Sequence, residues 1–71
     1  MNTLETSAAP DSRVESAKFD IDMAQDHLDT TQYYLSDAIG YLDGARKTRA
    51  TEILDKVSSA LADLDRLREA L

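Results

Sequence analysis

The sequence predicts an all-α protein: an antiparallel helical hairpin expected to dimerise into a four-helix bundle. Three observations lead there. A heptad of branched aliphatics, Val14, Ile21, Leu28, Leu35 and Leu42, runs unbroken through the first half of the chain. A second stripe with spacings of three and four, Ala50, Ile53, Val57, Ala60, Leu64, Leu67 and Leu71, fills the rest. Only a short glycine-containing connection separates the two, and no stretch alternates with the period of a strand.

Taken in order, residues 1–10 (MNTLETSAAP) are small, polar and aperiodic, and read as a disordered arm. Pro10 followed by Asp11 or Ser12 is a helix entry, and Ser12 has Glu15 three places on, as a capping box requires. The first helix is then expected over about 12–43. Its seam alternates large residues with small ones (Ala17, Ala24, Thr31, Ala38, Ala45), which lets a second helix approach closely. Gly44 is the expected stop, because Tyr41 and Leu42 stay in phase beyond Gly40. Asp29-Thr30-Thr31-Gln32 imitates a cap and offers an alternative, a three-helix bundle with a break there. The unshifted register of Leu28, Leu35 and Leu42 favours one continuous helix. A connection over about 44–48 follows, with Thr48 or Thr51 as the next cap, and then a helix over about 49–71. Leu54 and Leu61 widen its stripe, as a helix packed on more than one neighbour requires. Residues 11–71 thus form one hairpin domain.

Seventy-one residues bury too little surface in a single hairpin to be comfortably stable. Small domains escape through disulfides, metals or self-association. The chain has no cysteine, which removes disulfides and thiolate metal sites and leaves self-association. A symmetric homodimer is the simplest form. Its core would comprise Val14, Ile21, Leu28, Leu35, Leu42, Ile53, Val57, Leu61, Leu64 and Leu67.

The net charge of −6 opposes binding to nucleic acid or an anionic membrane and favours a protein partner with a basic or mixed surface. No apolar run approaches the ~20 residues that span a bilayer, and the beginning of the chain lacks a signal pattern, so the expected location is cytoplasmic. Six aspartates and no Lys or Arg lie between Asp20 and Asp43. Glu15, Asp22, Asp26 and Asp29 share one face, where like charges at helical spacing cost a few tenths of a kcal/mol per pair. A solvated face is the plain reading, and a surface for a basic partner the functional one. Phe19, Met23 and Tyr33 lie on the same back of the helix, and aromatic residues and Met are enriched at protein interfaces. Tyr34 and Tyr41 flank the seam with hydroxyls that can reach water.

No residue set suggests catalysis. His27 has Met23, Ala24, Thr30 and Thr31 at ligand spacing, so it forms no metal motif and reads as a polar residue beside the seam. No phosphate-binding loop or nucleophile–base pair stands out, and no cofactor is expected. Arg46, Lys47 and Arg49 form a basic cluster at the connection, near the negative end of the first helix. The sequence therefore reads as a small acidic protein-interaction module, a regulator or inhibitor acting through Glu15, Phe19, Asp22, Met23, Asp26, Asp29 and Tyr33. The rival readings are a nucleic-acid binder using Arg46, Lys47 and Arg49, and a purely structural assembly module.

Overall fold

A computed structural model describes residues 2–71, with side chains from Ser12 onward. It holds two helices, α1 (Asn2–Ile39) and α2 (Gly44–Ala70), and no strand among the described residues. α1 passes through the entry expected at Ser12. The arm expected over 1–10 has helical backbone from Asn2, while Met1 and the arm's side chains lie outside the described residues.

The false cap at Asp29–Gln32 does not interrupt α1. Its two threonines turn their hydroxyls inward along the helix: Thr30 Oγ1 donates to the Asp26 carbonyl (3.2 Å) and Thr31 Oγ1 to that of His27 (2.9 Å). Hydroxyls so engaged satisfy themselves inside a helix instead of capping a new one. Among the described residues there are two helices, not three.

The turn lies four residues earlier than expected, over residues 40–43. The last bonds of α1 tighten, Gly40 N to Asp37 O (3.1 Å), Tyr41 N to Ala38 O (2.9 Å) and Leu42 N to Ile39 O (3.1 Å). Such i→i+3 bonds satisfy terminal carbonyls as a helix ends. Gly44 is used at the entry to α2 instead, with φ at +59°, a value costly for any residue with a Cβ. Asp43, extended at φ −134° and ψ 159°, precedes it and makes no side-chain cap bond. Thr48 and Thr51, the expected caps, lie inside α2 and bond back to the Gly44 and Lys47 carbonyls (3.3 and 2.9 Å).

Two side-chain links fix the register of the antiparallel pair. Gln32 Nε2 donates to Ser58 Oγ at 2.7 Å, and Arg68 Nε donates to Asp22 Oδ1 at 2.9 Å. The links are ten residues apart on each helix, so the register is constant between them. Extended, it brings Ala70, the end of α2, level with Asp20. α1 continues well past that level, which explains the elongated shape of 61 × 16 × 16 Å.

The half-buried seam of α1 holds Val14, Ala17, Ile21, Ala24, Leu28, Thr31, Leu35 and Ile39. It keeps the expected heptad but ends on Ile39 instead of Ala38, which is exposed. A straight helix drifts ~20° per heptad from a 3.5-residue repeat, so after several heptads the seam moves onto the next residue. Leu42, in the turn, covers its end. On α2 the seam is Ala50, Leu54, Val57, Leu61, Leu64 and Arg68. Ile53 and Leu67, expected at its centre, lie on its edge, 44% and 49% exposed. No described residue is fully buried.

Candidate protein-interaction surfaces

Two surfaces emerge from this geometry. The first is the outer face of α1. Glu15, Phe19, Asp22, Met23, Asp26, Asp29 and Tyr33 are all exposed; Phe19, Met23 and Asp26 lie opposite the seam, while Glu15, Asp22 and Asp29 directly follow seam positions and lie toward one edge of the hairpin. The acidic residues are not equivalent. Glu15 is 3.7 Å from Lys18, and Asp22 accepts both the Nε and the more distant Nη2 (3.4 Å) of Arg68. That bond raises the Arg68 pKa above its ordinary value, and the neighbouring carboxylates of Asp22 and Glu15 act in the same direction. Asp22 thus closes the open end of the hairpin and is only partly available to a partner. Asp26 and Asp29 make no ion pair among the described residues and are the free charges of this face. Tyr33 packs edge-on against Tyr34, with ring centroids 5.6 Å apart at 69°. Phe19 is 63% exposed and has no such neighbour.

The second surface is one edge of the hairpin. Residues that directly follow a seam position, such as Gln32 and Ser58, meet on the edge where their hydrogen bond lies. Residues that directly precede a seam position line the opposite edge. Tyr34 and Tyr41 come to it from α1, and Ile53, Ala60 and Leu67 from α2. Four of these five are large and substantially exposed. At the turn end the edge opens into a groove of about 480 Å³ lined by Leu42, Ala45, Arg46, Arg49, Ala50 and Ile53. The sequence contained this edge in its stripe of Ile53, Ala60 and Leu67, but the phase of α2 was needed to separate edge from seam.

Arg46, Lys47 and Arg49 are exposed in the first two turns of α2. Cations at a helix N-terminus oppose its dipole, and α2 has no acidic residue in its first turn. The nearby C-terminus of α1 offsets this, and α1 has no basic residue of its own in its last turn. Among the described residues no three His, Cys, Asp or Glu side chains converge as metal ligands would, and no helix is long and apolar enough to cross a membrane. No protein-family model matches the chain, and no curated protein or solved structure is significantly similar to it.

Proposed function

We propose that this chain is a non-catalytic protein-interaction module that pairs with a second copy of itself as a four-helix bundle. In that bundle the outer face of α1 stays free to bind a protein with a basic or mixed surface, and so to regulate or inhibit it. The observation that carries this reading is the absence of any fully buried side chain among the described residues. Seams that remain half-open have an unfilled need for apolar contact, because ordering each residue costs about 1–2 kcal/mol of entropy that burial must offset. The acidic face supports the second part. Asp26 and Asp29 are held on one rigid helix with Phe19 and Tyr33 beside them, a mixture of charge and aromatic surface typical of binding sites.

Affinity capture from the cells that make the protein, repeated with Asp26→Asn combined with Asp29→Asn, tests the outer face. The reading predicts one stoichiometric co-purifying protein that is lost or strongly reduced with the variant, while helicity is unchanged. Equal recovery with both forms removes the acidic face from the account. The rival use of Arg46, Lys47 and Arg49 predicts salt-sensitive retention on immobilised nucleic acid instead.

A further inference from the structure

We infer that the second copy docks antiparallel on the edge formed by Tyr34, Tyr41, Ile53, Ala60 and Leu67, so that the basic turn of one hairpin meets the acidic open end of the other. The inference rests on the self-pairing proposed above and specifies its face and direction.

Area comes first. The chain exposes 5580 Å², whereas a compact monomer of 7.9 kDa exposes about 4,400 Å². The difference combines the stretch of α1 that runs past the end of α2 with the apolar side chains left uncovered along the hairpin. The edge opposite the Gln32–Ser58 bond is where large apolar side chains remain uncovered.

Charge then selects the direction. The same edge carries Arg46 at the turn and Asp20 toward the open end, with His27 between. A parallel pair would set Arg46 against Arg46 and Asp20 against Asp20. An antiparallel pair brings each Arg46 to the level of the Asp20 of the second copy, within reach of its long side chain across the diagonal of the bundle.

Shape agrees with charge. The register of the hairpin places Leu67 level with Met23, and Ala60 level with Thr30. A two-fold axis at the level of Gln32, the one that aligns Arg46 with Asp20, also brings Tyr41 to the level of the second copy's Leu67. It brings Tyr34 to the level of the second copy's Ala60, on the diagonally placed helix. Leu67 and Leu71 of the second copy then fall at the groove lined by Leu42, Ala50 and Ile53. One choice of axis satisfies both the ion pairs and the apolar contacts.

The chain has no cysteine, so Tyr41→Cys and Leu67→Cys introduce the only thiols. Within one hairpin the two positions are roughly 27 Å apart along the axis, beyond the ~7 Å limit between Cα atoms for a disulfide. A short thiol-to-thiol cross-linker should give a covalent dimer of the double variant whose peptides join position 41 to position 67. A 41–41 link, or no link in a protein that light scattering shows to be dimeric, overturns the antiparallel arrangement and leaves self-pairing intact. A monomeric mass overturns both. A second pair of substitutions avoids any loss of apolar packing. Asp20→Lys or Arg46→Glu alone should weaken the dimer about tenfold, and the two together should restore most of the affinity. Absence of restoration counts against the proposed contact.

Discussion

Ile53→Ala separates the two apolar surfaces of α2. In the hairpin the Ile53 side chain is 44% exposed and lies outside the half-buried seam formed by its neighbour Leu54. Fully burying an isoleucine is worth about 1.5–3 kcal/mol, so covering the exposed fraction in a dimer contributes about 1 kcal/mol per chain. Both chains lose it together. The dimer should therefore weaken by about 2 kcal/mol, or roughly 30-fold in its dissociation constant. Sedimentation equilibrium over a dilution series measures that constant, and circular dichroism on the same samples reports whether the helices persist. Leu54→Ala is the companion, because it removes contacts within each hairpin and should lower helicity and association together. A dissociation constant for Ile53→Ala within about threefold of wild type would refute the placement of this edge in the interface.

Gly44→Ala should destabilise the hairpin by about 1–2 kcal/mol in thermal or urea unfolding, because φ at +59° is strained for alanine although no atom lies within 4 Å of an added Cβ. Gly44→Asn should recover part of the loss, since asparagine tolerates this region better. Asp22→Asn and Arg68→Met should each lower the melting temperature modestly, and the double variant should show less than the sum, with the coupling fading as salt is raised. Asp26→Asn with Asp29→Asn should leave stability unchanged or raise it by a few tenths of a kcal/mol, since it removes like charges on one face. Leu35→Asp puts a charge into the seam and should cost several kcal/mol, seen as lost helicity.

The heptad from Val14 to Leu42 made the first helix and its inward face readable, because a seven-residue repeat leaves little choice of phase over four turns or more. What the repeat did not disclose was its drift, and so Ile39 was missed while Ala38 was assigned to the seam. The second helix was harder. Ile53, Leu54, Val57, Ala60, Leu61, Leu64 and Leu67 form a stripe wide enough to admit two phases, and only the partner helix decides which residues are central. The glycines were ambiguous for a related reason. Gly40 and Gly44 both suit the end of a helix, and local propensity does not weigh the tightened bonds after Asp37 against a left-handed entry to α2. Thr30 and Thr31 show the same limit, since a hydroxyl that caps a helix and one that bonds back within it look alike in sequence. The exposure of Asp26 and Asp29 was legible, because it depends only on a continuous α1. The Asp22–Arg68 link was not, as it joins residues 46 apart through the register of the hairpin.

The central claim is that the hairpin completes its core on a second copy. Absolute mass by light scattering, with circular dichroism on the same fractions across a dilution series, tests it most directly. The account predicts a strongly helical species of twice 7.9 kDa at micromolar concentration, losing helicity as dilution dissociates it. A monomer that stays fully helical on dilution would contradict it.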